Sequence, residues 1–196
     1  MEALTYSETT QEFLEFLKVK NDYHTESLDL LEQGKSRYIA DLKVNFKNSF
    51  ESEFLTKTEI ALLGVAIAVN ANNQTLRQFF TLNAKEEGAT AEAIAEAAAC
   101  ASLLSANNIL YRFRHFTGKE KYNEIPARIK MNIMGRPVSG KEFFELMSLA
   151  VSAVNGCELC VTSHEASLIE LGSKEERIFE AVRLASVITS VSKVIY

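Results

Sequence analysis

Apolar residues recur along most of the chain three and four positions apart, which is the spacing of one face of an α-helix. Before residue 56 this spacing predicts a helix over about 9–19 and a second helical stretch over about 25–50 that is broken near Gly34. From residue 56 onward it predicts six helices, over about 56–71, 73–86, 90–115, 139–154, 157–171 and 173–194. The protein is therefore predicted to be all-α and to fold as a helical bundle.

Three segments have the sequence of a capping box, in which a hydroxyl at the helix N-cap is followed three residues later by a glutamate. They begin at Thr56, Ser139 and Ser173. Ser139 follows Thr56 after 83 residues, and a further set of five matching residues recurs after 84. In that set Gly88, Glu92, Ile94, Glu96 and Ala97 match Gly172, Glu176, Ile178, Glu180 and Ala181. The recurrence predicts an internally duplicated three-helix unit.

The duplication also predicts how the chain is organised. Residues 56–196 are predicted to form one domain, made of a first copy over 56–115, a connector over 116–138 and a second copy over 139–196. The connector contains both prolines of the chain, Pro126 and Pro137. Residues 1–55 are predicted to be an N-terminal helical extension.

Composition excludes several classes of protein. The 196 residues carry 21 Lys and Arg against 26 Asp and Glu, for a net charge of −5, and no segment is dense in Lys or Arg. We therefore expect neither a nucleic-acid partner nor binding to a membrane. No stretch reaches the roughly 18 apolar residues of a membrane span, and residues 1–5 lack the features of a signal peptide. Three cysteines do not suit a secreted disulfide scaffold, so a soluble cytoplasmic protein is expected.

The candidate chemistry lies in the second copy, where Cys157, Cys160 and His164 follow the turn sequence Asn155-Gly156. At about 100° per residue these side chains share one helix face, each about one turn from the next. The helix N-terminus favours a thiolate at Cys157, two thiols three residues apart can close a disulfide, and the histidine can relay a proton. Thiol redox chemistry is the first interpretation. A zinc site is the alternative, although structural zinc usually has four ligands.

The helix predicted before this motif contributes a carboxylate, because Glu145 is the one charged residue between 143 and 154. A buried carboxyl group needs a partner. The turn at Asn155-Gly156 lets this helix pack antiparallel to the next and brings Glu145 towards His164. Glu145 is therefore a candidate general base, and a solvent-exposed charge is the alternative.

The first copy provides an internal comparison. At an offset of 83 or 84, Cys157 corresponds to Asn73 or Gln74, and Cys160 corresponds to Leu76 or Arg77. His164 corresponds to Phe80 or Thr81, and Glu145 corresponds to Ala61 or Leu62. The first copy keeps the helical pattern without these chemical groups, which indicates that the fold does not need them. The third cysteine, Cys100, lies in an alanine-rich segment and is predicted to be a buried apolar residue.

Glu145 followed by Cys157-x-x-Cys160-x-x-x-His164 resembles the alkylhydroperoxidase D (AhpD) family of the carboxymuconolactone decarboxylase-like superfamily. The resemblance is most specific over about 139–194. It implies an all-α, oligomeric fold that reduces hydroperoxides with thiols, without a cofactor or a metal. It also implies that Cys160 is the peroxidatic thiol and Cys157 the resolving thiol, with Glu145 and His164 in a proton relay. Leu159 stands where some members of the family carry a second histidine.

The resemblance implies two partners, a hydroperoxide substrate and an external dithiol reductant of the lipoyl or thioredoxin type. A homo-oligomer, with a trimer as the leading expectation, also follows from runs such as Ile60–Leu63, which offer more apolar surface than one duplicated unit should cover. Two other functions stay open. One is a carboxymuconolactone decarboxylase, whose reaction needs no cysteine pair, and the other is a redox-sensing or scaffold protein whose thiols switch assembly without turnover.

Overall fold

A computed structural model describes residues 5–20 and 22–196, and within these ranges it contains eleven α-helices and no β-strand. The helices are α1 Glu8–Phe16, α2 Glu26–Gln33, α3 Tyr38–Asn48, α4 Lys57–Asn70, α5 Gln74–Glu86, α6 Ala91–Thr117, α7 Glu120–Glu124, α8 Asn132–Gly135, α9 Lys141–Val154, α10 Glu158–Glu170 and α11 Glu175–Val191. The all-α prediction is confirmed. Of the residues used to predict the absence of a signal peptide, 1–4 lie outside the described ranges.

The helices follow the predicted pattern, with differences where local geometry overrides it. The stretch predicted over 25–50 divides into α2 and α3 on either side of the break near Gly34. The helix predicted to reach residue 19 ends at Phe16, because Lys18 takes a positive φ of 56°. The connector contains two short helices, α7 and α8, that apolar periodicity does not predict.

One of the three predicted capping boxes forms. The Thr56 hydroxyl accepts from the Glu59 backbone N–H at 3.2 Å, and the Thr56 N–H donates to Glu59 Oε2 at 2.8 Å. The predictions at Ser139 and Ser173 are wrong, because the N-cap of each following helix is the next residue and makes no side-chain cap. The Ser173 hydroxyl instead donates to the Glu142 carboxylate at 2.5 Å, so a tertiary contact replaces the cap.

The N-terminal extension shares one hydrophobic core with the rest of the chain. Helix α1 packs against α3, which also packs against α11. Neighbouring aromatic rings join the extension to α5, with centroids 5.1–6.0 Å apart, an arrangement that adds to the burial of apolar surface. The rings belong to Phe13, Phe16, Phe46, Phe50, Phe79 and Phe80.

Helix α4 lies at the centre of the fold, in contact with α5, α6, α9 and α11. Every residue of α4 from Ile60 to Ala68 is buried. At Gly64 the helix meets the Phe80 ring so closely that an added Cβ would lie 2.1 Å from a ring carbon. The expectation that Ile60–Leu63 provides a surface for self-association is wrong, because this run is covered by the chain's own helices.

Helix α6 is the one described helix long and apolar enough to meet the length and hydropathy criteria of a membrane span. One such helix is weak evidence for a span, because core helices of water-soluble proteins meet the same criteria. Here α6 packs against α4 and α9. Its buried Glu96 accepts hydrogen bonds from the backbone N–H groups of Val138 and Ser139, at 2.6 and 2.8 Å. A buried carboxylate thus ties the connector to α6.

The two proposed copies share local details at an offset of 84. Helices α4 and α9 have 14 residues each, and α5 and α10 have 13 each. Asn72 and Gly156 both take a positive φ directly before the next N-cap, at 53° and 67°. Those N-caps are Asn73 and Cys157. These correspondences support the proposed duplication.

A single arginine links the beginnings of the two proposed copies. Arg177 on α11 donates hydrogen bonds to Glu59 at 2.6 Å and to Glu142 at 2.9 Å. The hydrogen bond from Arg177 lowers the pKa of the Glu142 carboxyl group. At Glu59, burial opposes ionisation, but the hydrogen bonds from Arg177 and the Thr56 backbone outweigh it and lower the pKa. Both carboxylates are thus more stable as anions in the folded chain.

Replacing Arg177 with methionine should lower the free energy of unfolding at pH 7 by about 2 kcal/mol, because it leaves two half-buried carboxylates without their partner. The pKa values of the Glu59 and Glu142 carboxyl groups are lower in the folded chain than the value of 4.5 in the unfolded chain. Their contribution to the free energy of unfolding is therefore complete above pH 4.5 and is lost as the pH falls below it. The wild type should therefore lose stability below pH 4.5 more steeply than Arg177→Met in urea unfolding. Arg183→Met is the control, because Arg183 pairs with Glu180 on its own helix. It should cost less than about 0.5 kcal/mol, and an equal loss in both variants would contradict the prediction.

Candidate active site

The site begins at the turn between α9 and α10. Gly156 takes a φ of 67°, a conformation that glycine adopts without the steric cost of a Cβ. The N–H groups of Gly156 and Cys157 donate to the carbonyls of Ala153 and Ser152, which closes α9 in a Schellman motif. The chain then starts α10 with Cys157 as its N-cap residue. The predicted place of Cys157 at a helix N-terminus is confirmed.

A network of buried and partly buried polar groups holds this turn against α4 and α6. Asn155 Nδ2 donates to Asn108 Oδ1 at 2.8 Å, and Asn155 Oδ1 accepts from Asn70 Nδ2 at 2.9 Å. Arg112 donates to the backbone carbonyl of Asn155 at 2.5 Å, and Asn108 Nδ2 donates to Ser152 Oγ at 2.9 Å. Because each asparagine side chain in this network has hydrogen-bond partners, the network fixes the turn that carries Cys157.

Cys157 and Cys160 are joined by a disulfide bond. Cys157 is fully buried, and Cys160 is 7% exposed. The third cysteine, Cys100, is buried and unpaired, as predicted, with its sulfur 3.6 Å from Ser148 Oγ. Burial raises the pKa of the Cys100 thiol to about 12, so this thiol stays protonated near neutral pH. The candidates for thiol chemistry in the described chain are therefore the pair at the start of α10.

The carboxylate from α9 meets the histidine from α10. Glu145 Oε2 lies 2.6 Å from His164 Nδ1, and both side chains are largely buried, at 10% and 12% exposure. Helix α9 packs along α10 after the turn, which brings together two residues 19 positions apart. The predicted approach of Glu145 to His164 is confirmed, and the alternative of a solvent-exposed Glu145 is wrong. A carboxylate in this position orients the imidazole and stabilises positive charge on it.

A cavity of about 410 Å³ opens beside Cys160 and His164. Helices α6 and α10 and the connector form its walls. Most of the lining is apolar, and the lining residues are Leu104, Asn107, Tyr111, Met131, Met134, Leu159, Cys160, Ser163 and His164. Such a cavity suits a small molecule with an apolar body and a polar end that reaches the thiol.

The residues that sequence reasoning missed come from α6 and the connector. Asn107 and Asn108 interrupt an apolar helical segment, and this pattern indicates buried polar groups that need hydrogen-bond partners. Met131 and Met134 carry no such signal, because their role depends on how the connector folds over α6. Leu159, which the sequence analysis noted in place of a second histidine, is 42% exposed and also lines the cavity.

Other polar clusters lie apart from the thiols or are satisfied internally. His24 pairs with Asp29 at 3.0 Å, and His115 lies 3.5 Å from the exposed carboxylate of Glu158. A wider opening of about 520 Å³ surrounds Arg177, whose charge is balanced by two glutamates. Within residues 5–20 and 22–196, no group of three or more His, Cys, Asp or Glu side chains is placed to hold a metal ion.

Comparison with known proteins places this geometry in a family. The Carboxymuconolactone decarboxylase family matches residues 122–195, which contain the disulfide pair, His164 and Glu145. A protein of Anaeromyxobacter sp. (strain K) named alkyl hydroperoxide reductase AhpD is 39% identical over 162 residues, which cover 83% of this chain and 87% of the relative. The chain belongs to the AhpD family. Relatives of the same name from Acidobacterium capsulatum and Solibacter usitatus are 40% and 38% identical over 172 and 168 residues. Each of these two matches covers 86% of this chain; the matches cover 92% of the Acidobacterium protein and 94% of the Solibacter protein.

The AhpD relationship extends further along the chain than the resemblance of the thiol motif. A match over 83% of the chain is longer than residues 56–196, so it includes part of the N-terminal extension. This agrees with the structure, in which the extension contributes Phe13, Phe46 and other buried residues to the common core. Part of the extension is therefore shared between this AhpD-family chain and its relatives.

Proposed function

We propose that the protein is a thiol-dependent peroxidase that reduces hydroperoxides through a dithiol/disulfide cycle of Cys160 and Cys157. The observation that carries the proposal is the disulfide pair at the start of α10, set beside the buried Glu145–His164 pair and next to an apolar cavity. The relatives named alkyl hydroperoxide reductase AhpD support it. None of the steps below requires a bound cofactor.

In the first half of the cycle, His164 accepts the proton of the Cys160 thiol, and Glu145 stabilises the charge that forms on the imidazole. The thiolate attacks the terminal oxygen of the hydroperoxide. The S–O bond forms as the O–O bond breaks, which oxidises the sulfur to a sulfenic acid and reduces the peroxide to an alkoxide. The alkoxide takes the proton from His164 and leaves as an alcohol.

The roles of the two cysteines follow their access to the cavity. Cys160 lines the cavity and is slightly exposed, whereas Cys157 is fully buried and is not among the lining residues. Attack on a peroxide by Cys160 therefore needs no rearrangement. Cys157 then displaces water from the sulfenic acid of Cys160 and closes the disulfide.

The reductant is an external dithiol that returns the disulfide to two thiols by exchange. Because Cys157 is fully buried and Cys160, which lines the cavity, is only 7% exposed, a slender dithiol arm of the lipoyl type fits better than the broad face of a thioredoxin-type protein. A cytoplasmic location suits this cycle, since the cytoplasm keeps such dithiols reduced.

Exposed apolar residues in the C-terminal half of α6 support a homo-oligomer, with a trimer as the proposed state. Ile109, Phe113 and Phe116 lie four and three residues apart on one face and are 63%, 46% and 73% exposed. An apolar stripe of this kind is typical of an interface. Light scattering should give about three times the chain mass of 21.9 kDa, and Phe116→Glu should shift the mass to that of one chain. Leu30→Glu, an exposed position on α2, is the control. A monomeric wild type at micromolar concentration would contradict the proposal.

The test of the function is hydroperoxide consumption with excess dithiol. The protein should consume an alkyl hydroperoxide over many turnovers with dihydrolipoamide, and more slowly with a reduced thioredoxin-type protein. Formation of the disulfide without repeated turnover would instead indicate a redox switch. Absence of any reaction between the reduced protein and the hydroperoxide would refute the peroxidase proposal.

A further inference from the structure

One of the residues that line the cavity beside Cys160 has a polar atom that the fold leaves unsatisfied. Asn107 lines the cavity from α6 and is 5% exposed. Its Nδ2 donates to the sulfur of Met131 at 3.1 Å, and sulfur is a weak acceptor. Its Oδ1 is buried, and no donor in the part of the chain that the structure describes reaches it. A buried carbonyl oxygen without a hydrogen bond destabilises a fold, so its presence at a candidate site points to a ligand.

The adjacent residue, Asn108, differs from Asn107 because its amide has a structural role. Asn108 Oδ1 accepts from Asn155 Nδ2 at 2.8 Å, and Asn108 Nδ2 donates to Ser152 Oγ at 2.9 Å. Both ends of its amide are used in holding the turn before Cys157. Asn107 contributes no comparable contact, so the packing of α6 does not account for its acceptor.

We propose that Asn107 binds the hydroperoxide, with Oδ1 accepting a hydrogen bond from the terminal O–H group. The inference rests on the proposed peroxidase function and adds a substrate-binding residue to it. The apolar lining next to Asn107, including Leu104 and Met134, receives the organic part of the molecule. The amide then fixes which end of the peroxide meets Cys160.

The chemistry of the step explains why an acceptor is needed here. The terminal oxygen is the atom that Cys160 attacks, and its hydrogen stays on that oxygen while the O–O bond breaks and the S–O bond forms. The hydroxyl passes to sulfur as Cys–SOH, and the other oxygen leaves with a proton from His164. Asn107 Oδ1 can therefore keep the same hydrogen bond from substrate to sulfenic acid. Asn107 and His164 thus serve opposite ends of the O–O bond, the first as acceptor and the second as donor.

The experiment separates the two half-reactions in Asn107→Leu, a change that keeps a side chain of similar size and removes the acceptor. The reduced protein is mixed with tert-butyl hydroperoxide and thiol loss is followed, and the oxidised protein is separately mixed with dihydrolipoamide. The rate constant with hydroperoxide should fall about 10-fold, the effect of losing one hydrogen bond. Reduction of the disulfide should stay within about twofold, and the urea midpoint should be unchanged or higher, since a buried unpaired acceptor is removed.

Asn108→Leu is the matched control, and it should lower the urea midpoint clearly, because it breaks the network around Asn155. If the wild type reacts and Asn107→Leu reacts equally fast, the binding role is wrong and the peroxidase proposal stands. The same conclusion follows if Asn107→Leu slows both half-reactions together and lowers the urea midpoint. If the reduced wild type does not react with hydroperoxide at all, the peroxidase proposal fails, and the role of Asn107 fails with it.

Discussion

Cys160→Ser should lose hydroperoxide consumption by more than about 10³-fold, because a serine hydroxyl cannot supply the thiolate that attacks the O–O bond. Cys157→Ser should behave differently. Its Cys160 can still react once with a hydroperoxide, but the sulfenic acid has no resolving thiol in the chain, so without added dithiol the reaction should stop after about one equivalent. Comparing the first turnover of the two variants with steady-state consumption in excess dithiol measures both effects.

Cys100→Ala is the control for this pair. Cys100 is buried within the core, and burial holds its thiol pKa near 12, so its removal should leave the rate of hydroperoxide consumption unchanged. The cysteine roles would be wrong if Cys157→Ser lost the first turnover while Cys160→Ser kept it. In that case the thiol favoured by the helix N-terminus, rather than the one at the cavity, would be the attacking group.

Glu145→Gln should lower hydroperoxide consumption near neutral pH by about 10²-fold or more, the scale of general acid–base catalysis. The change keeps the shape of the side chain but removes the charge 2.6 Å from His164. The imidazole then loses the anion that stabilises it when it accepts the thiol proton. Raising the pH should restore part of the rate, because hydroxide can form the thiolate without the relay. Rates of hydroperoxide consumption between pH 6 and 9 test this.

Glu158→Gln is the matched control for Glu145→Gln. Glu158 lies between the cysteines in sequence, but its side chain is 75% exposed and turned towards His115. Its replacement should change the rate little. The fold and the oligomer should survive in both variants, since the first copy has Ala61 at the position that corresponds to Glu145 at an offset of 84. The relay assignment would be refuted if both variants lost activity equally, or if Glu145→Gln kept the full rate at pH 7.

The helices of the proposed second copy, and the positions of its cysteines and histidine on them, could be predicted from sequence because both depend on local spacing. Three- and four-residue spacing puts Cys157, Cys160 and His164 on one face of a helix whatever surrounds it. The Asn155-Gly156 turn was enough to bring Glu145 to His164. The structure has these features where the pattern predicts them.

The failed predictions depend on contacts between residues far apart in sequence. The capping box at Ser139 does not form, and its glutamate, Glu142, is paired with Arg177 instead. The box at Ser173 does not form either, and the Ser173 hydroxyl donates to Glu142. The apolar run Ile60–Leu63 looked like a free surface, but other helices cover it. The cavity likewise could not be predicted, because α6 and the connector supply most of its wall from outside the repeat that holds the thiols.

The most direct test of the central proposal is a single turnover of the reduced protein with one equivalent of an alkyl hydroperoxide. Thiol titration, alcohol analysis and peptide mapping are done on the same sample. The proposal predicts one equivalent of alcohol, the loss of two thiols per chain, a disulfide between Cys157 and Cys160, and an unmodified Cys100. Unreacted hydroperoxide with all three thiols intact, or a major disulfide that contains Cys100, would contradict it.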